Sequence, residues 1–89
     1  MKIKLELFGA SKDFSKKNHL EFNIKGQLEI KDFRKEIINY LDKNFKGNES
    51  FIKIVKNSVF CSEDNNIIND DFKIIKDQKI GIIPPIGGG

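Results

Sequence analysis

From Glu29 onward the apolar residues of this chain change rhythm. Ile30, Phe33, Ile37, Leu41 and Phe45 are spaced 3, 4, 4 and 4, and Ile38 widens the same stripe. That spacing keeps one face apolar along an α-helix of about four turns. Asp32 in the first turn and Lys43 and Lys46 in the last complement the helix dipole. Gly47 supplies a stop, while neither Leu28 nor Glu29 is a favoured N-cap. Before this segment the period is two. In "KIKLELF" (2–8) Ile3, Leu5 and Leu7 share one face, and Lys4, Glu6 and Phe8 the other. In "HLEFNIK" (19–25) Leu20, Phe22 and Ile24 repeat the pattern. Each strand is apolar on one side only, so a sheet must close that side against the helix.

The rest of the chain supplies the partners. The polar "GASKDFSKKN" (9–18) predicts a hairpin loop between the first two strands, and Gly26 ends the second. "FIKIVKN" (51–57) predicts a third strand with a short partner at "SVFC" (58–61). "SEDNNIINDD" (62–71) is rich in turn residues, with a helical turn expected around Asp70 to Ile74. "KIGIIPP" (79–85) closes the series, with Ile80 and Ile82 inward and Ile83 outward. Pro84 and Pro85 end that strand because neither offers an N–H to a ladder. The order β-β-α-β-β-β predicts an α+β fold, a mixed five-stranded sheet with one main amphipathic helix. With the first and last strands parallel neighbours at its centre, this is the β-grasp, or ubiquitin-like, roll. Residues 1–83 form the domain, and 84–89, "PPIGGG", a flexible C-terminal tail.

Composition excludes several classes. Eighty-nine residues, 38% hydrophobic and 33% charged, suit one small soluble domain. No stretch approaches the roughly 20 apolar residues of a membrane span, so no membrane is expected. "MKIKLELFG" alternates where a signal peptide would be continuously apolar, which makes the cytoplasm the expected compartment. Sixteen basic against thirteen acidic residues give +3, but the lysines are scattered. The densest run, "SKKNH" (15–19), falls in the predicted hairpin loop; nucleic-acid binding would need a basic stripe with interleaved aromatics. His19 and Cys61 are each alone of their kind, which leaves no metal constellation and no activated nucleophile. Cys61 is expected as a structural strand residue and His19 as a solvated one.

The ending "KDQKIGIIPPIGGG", the opening "MKIKLELFGASKD" and the intervening "IVKNSVF" resemble the small subunit of molybdopterin synthase, the MoaD family. The likeness runs through essentially the whole chain, and Pro-Pro before a terminal Gly-Gly is its most specific part. The resemblance implies a sulfur carrier. A partner enzyme uses ATP to adenylate the C-terminal carboxylate, here that of Gly89, and sulfur then replaces the adenylate to give a thiocarboxylate. The tail delivers that sulfur inside a large catalytic subunit, to the pterin precursor of molybdopterin. The implied partners are that large subunit, the adenylating enzyme and a sulfur donor such as a cysteine desulfurase system. The carrier binds no cofactor or metal and is not itself an enzyme.

The tail suits such a task physically. Gly87, Gly88 and Gly89 let the backbone bend without a side chain obstructing a narrow channel. Pro84 and Pro85 hold the base of the arm semi-rigid. The six residues from Pro84 to Gly89 reach about 20 Å when extended. Alternation places Phe8 and Ile83 on the outward face at the ends of their strands, together at the root of the tail if those strands are neighbours. Val59 occupies the third apolar contact position of the family. Phe8, Val59 and Ile83 are therefore the expected partner-binding residues. Two other functions fit the same glycine: a ThiS-like carrier for thiazole synthesis, or a ubiquitin-like modifier conjugated through Gly89. An interaction module with an inert tail is the remaining alternative.

Overall fold

The computed structural model describes residues 1–86. In chain order its elements are β1 (Lys2–Leu7), a 3₁₀ helix (Gly9–Phe14), β2 (His19–Asn23), β3 (Leu28–Glu29), α1 (Ile30–Asn44), α2 (Glu49–Asn57), β4 (Val59–Cys61), β5 (Ile67–Ile68), β6 (Lys73–Ile74) and β7 (Gln78–Ile83). Five strands form one mixed sheet in the order β2-β1-β7-β4-β5, and β3 with β6 forms a separate two-stranded ribbon. β1 runs antiparallel to β2 and parallel to β7, with Leu5 opposite both Leu20 and Ile80. The first and last strands are thus central neighbours, as the sequence predicts.

Period-two alternation sends Ile3, Leu5 and Leu7 from β1, and Ile80 and Ile82 from β7, to one face, where they are buried. α1 lies against that face through Ile30, Phe33, Ile37 and Leu41, all fully buried. Each such side chain contributes about 1.5–3 kcal/mol by leaving water. The predicted stripe is therefore the core stripe. The N-terminus of α1 also shows how a helix begins without a favoured capping residue. The Ile30 N–H donates to the Phe72 carbonyl at 2.9 Å and the Lys31 N–H to the Asp70 carbonyl at 3.1 Å. Asp32 Oδ2 accepts from the Glu29 N–H at 3.4 Å. Donors left free by helix geometry are satisfied by a distant loop.

Two expectations are corrected here. Residues 51–57 are not a strand but most of α2. The Asn48 side chain accepts from the Phe51 N–H at 3.1 Å, a standard N-cap, and Glu49 sits in the first turn. Phe51, Ile54 and Val55 then fall on one helical face, while Lys53, Lys56 and Asn57 are exposed. Phe51 packs between Phe14 and Phe45, with ring centroids 5.1 and 5.0 Å away. The fifth strand of the sheet is β5 instead. The expected helical turn near Asp70 is a plain turn at Asp70–Asp71 leading into β6. The carbonyls of Asp70 and Phe72 are committed to α1, and β6 pairs with β3, so no local helix forms. The loop after β1 is also more ordered than its composition suggests: it contains the 3₁₀ helix, with Ser11 and Phe14 buried.

Candidate functional site

The chain leaves β7 at Ile83, and the register there decides which side chains meet. Leu7 of β1 stands opposite Ile82, and Val59 of β4 opposite Ile83. Phe8 follows Leu7, so Phe8, Ile83 and Val59 form a row across three adjacent strands on the face away from α1. Phe8 is 39% exposed, Val59 is 45% exposed and Ile83 is half-buried. The structure thus brings together the three apolar residues singled out from the sequence, at the base of the Pro-Pro arm. Ile86, farther along the arm, is fully exposed, whereas Pro84 is buried and Pro85 exposed. Gly87, Gly88 and Gly89 lie outside the described residues.

Beneath this row is a residue that sequence reasoning missed. Gly81 faces outward between Glu6 of β1 and Cys61 of β4. A Cβ there would stand 2.7 Å from Cys61 Sγ and 3.0 Å from Phe8 Cε2. The Phe8 ring therefore leans back over bare backbone, and the Cys61 thiol flanks it. Nothing local marks Gly81, because its need for glycine arises from neighbouring strands. Cys61 is a buried free thiol in β4, as expected of a structural strand residue. His19 opens β2 half-buried, 3.8 Å from the Glu21 carboxylate, a more enclosed place than expected.

The turn after β1 supports the row from below. The Phe8 N–H donates to Ser11 Oγ at 3.0 Å, and that hydroxyl donates to the Phe8 carbonyl at 2.6 Å. Gly9 has φ of +55°, in the left-handed region, and Pro84 rests against it: Pro84 Cδ lies 3.8 Å from where a Gly9 Cβ would be. Beside the row, Lys79 and Glu6 form an outward-facing ion pair at 3.1 Å.

No group of His, Cys, Asp and Glu among the described residues could hold a metal ion, and no helix of them is long and apolar enough to cross a membrane. The groove between the 3₁₀ helix and the end of α1, lined by Lys12, Lys17, Phe14, Tyr40 and Phe45, carries neither imidazole nor thiol.

A mixed sheet centred on parallel first and last strands and closed by one principal helix defines a β-grasp domain of the ubiquitin-like class. No family model matches the sequence, and no curated protein does. Solved structures do match the fold. One is a candidate molybdopterin converting factor, subunit 1, from Pyrococcus furiosus, 16% identical, with a TM-score of 0.70 over 96% of this chain and 98% of that one. Another is SAMP1 from Haloferax volcanii, 11% identical, with a TM-score of 0.69 over the whole of both chains. At these identities the likeness is one of fold.

Proposed function

We propose that this protein is a sulfur carrier of molybdopterin biosynthesis, acting as the small subunit of a molybdopterin synthase through the carboxylate of Gly89. The observation that carries this reading is the Phe8–Ile83–Val59 row at the base of an arm that continues as "PPIGGG". An apolar patch flanking an outgoing chain suits a partner that must grip the body while the arm enters its active site. The fold shared with the candidate converting-factor subunit supports the same reading.

The chemistry divides between this chain and its partners. A carboxylate oxygen of Gly89 attacks the α-phosphorus of ATP on an activating enzyme, and pyrophosphate leaves. The terminal sulfur of a persulfide on a donor such as a cysteine desulfurase system then attacks the acyl carbon. The acyl–oxygen bond breaks and AMP departs with the electron pair. A thiol reductant cleaves the S–S bond of the acyl disulfide so formed, and a thiocarboxylate remains. The large subunit supplies the catalytic residues that pass this sulfur to the pterin precursor. This chain contributes a gripping surface, a stiff arm base in Pro84 and Pro85, and slender residues Gly87 and Gly88 before the reactive end.

Mass spectrometry after incubation with the activating enzyme, ATP and the sulfur donor tests the reading. The expected product carries one sulfur in place of one oxygen at Gly89. The chain lacking Gly89 is expected to stay folded but to transfer no sulfur, its end being about 3.5 Å short of the reacting atoms. Equal transfer by both chains excludes the proposal. An amide link from Gly89 to a lysine of another protein, with no sulfur gained, would identify a modifier instead.

A further inference from the structure

We infer that the turn Phe8–Ser11 is a mount that sets the direction in which the C-terminal arm leaves the domain, with Ser11 and Gly9 as its positioning residues. The inference rests on the carrier reading for its purpose but on geometry for its existence. Ser11 is fully buried, and its hydroxyl engages both backbone polar groups of the same residue: it accepts from the Phe8 N–H and donates to the Phe8 carbonyl. That carbonyl also accepts from the Ser11 N–H at 3.1 Å. A polar side chain is rarely buried where a small apolar one would fill the space, unless its hydrogen bonds fix something. Here they fix the backbone on which the next contact depends.

Gly9 then turns the chain at φ +55°, a conformation that side chains disfavour. Pro84 lies beside it, its Cδ and Cγ 3.8 and 3.9 Å from the position of a Gly9 Cβ, an ordinary contact distance, so the positive φ rather than want of space reserves the position for glycine. Pro84 is buried there, although it lies beyond the last pairing of β7 and Pro85 beside it is exposed. Its ring already restricts φ; seating it beside Gly9 also fixes where Pro85 and Ile86, the next described residues, leave the domain. An arm aimed before docking loses less freedom when a partner's channel takes it up. The same turn holds the Phe8 ring over Gly81, so the gripping surface and the arm share one support.

The test uses the full chain with a nitroxide on Ile86→Cys in a Cys61→Ser background. Amide broadening by the label is read in that parent, in Gly9→Val and Ser11→Ala, and in Ser11→Thr, which keeps the hydroxyl. In the parent, broadening should concentrate on amides near the 3₁₀ helix. In Gly9→Val and Ser11→Ala it should spread over several faces while unfolding stays cooperative, and Ser11→Thr should restore the parent pattern. Without the label, both disruptive variants should raise the KM for the carrier in adenylation on the order of tenfold with little change in kcat. An unchanged broadening pattern in a folded Gly9→Val chain overturns the inference, as does a pattern in the parent that is already dispersed. If the parent shows the focused pattern but is never adenylated, the mount stands and the carrier reading falls.

Discussion

At Gly81 a single methyl group would collide with two side chains at once. Gly81→Ala places a carbon 2.7 Å from Cys61 Sγ and 3.0 Å from Phe8 Cε2, both too close for contact. Overpacking of this kind costs about 1–3 kcal/mol, read from the urea midpoint. Adding Cys61→Ala removes one of the two clashes, so a double-mutant cycle should show favourable coupling of about 0.5 kcal/mol or more. Strict additivity would mean that sulfur and methyl never meet. In the core the expectation is simpler. Phe33→Ala empties a fully buried site and should cost about 3–5 kcal/mol. Exposed Lys35→Ala should cost well under about 1 kcal/mol; equal midpoints would refute the helix register. Phe8 and Ile83 were legible beforehand because alternation alone assigns a face. Val59 was indicated only by family resemblance. Gly9 and Gly81 were not legible, because each answers to residues distant in the chain, Pro84 for Gly9 and Cys61 and Phe8 for Gly81; Ser11 was not, because nothing in a polar loop sequence marks which serine is buried.

Among the elements, α1 and α2 differ in how openly they declare themselves. α1 repeats its stripe over four turns, enough to separate a period of 3.6 from a period of two. α2 offers only "FIKIVKN", too short and too apolar for that distinction; its helical signal is Asn48, upstream of the run. Arg34 ties the two helices together and was not singled out at all. Its Nη1 donates to the carbonyls of Val55 and Ser58 at 2.6 and 2.8 Å, where α2 ends. Its Nη2 meets Asp70 at 2.7 Å, and its guanidinium lies 4.8 Å from the centre of the Phe60 ring. Carbonyl lone pairs left over at the helix end, and the negative end of the helix dipole, make a cation favourable there. Arg34→Met keeps the apolar stem but loses every one of these bonds, and should cost about 2–3 kcal/mol. Asp70→Asn weakens only an exposed partner and should cost less than about 1 kcal/mol. If chemical denaturation shows equal losses, the carbonyl contacts are not the main attachment.

For the molecule as a whole, the outward row predicts a separation of folding from association. Phe8→Asp or Ile83→Asp should leave the isolated domain folded by circular dichroism, because neither side chain lies in the core against α1. If the proposed function holds, calorimetric binding to the large synthase subunit should weaken at least on the order of tenfold, since an unpaired charge would enter an apolar contact. Unfolding of either variant without a partner would place the row in the core. The architecture was legible because the alternating strands β1, β2 and β7 and the stripe of α1 admit few ways to cover one another. The short strands β3, β5 and β6 were not, being two residues each and defined by their partners more than by their own residues. Central placement of β7 also bears on how the protein is made. Among the described residues this strand is the last element to be synthesised, yet it separates β1 from β4 in the middle of the sheet. While the ribosome still holds residues 78–83, the earlier strands have no centre to assemble around, so the sheet closes only after the nascent chain has been released that far. A molecule that presents its arm from a seated Pro84 has, by the same geometry, already completed its core. On the proposed function, an activating enzyme that recognises the arm in that setting would pass over misfolded copies without a separate checkpoint.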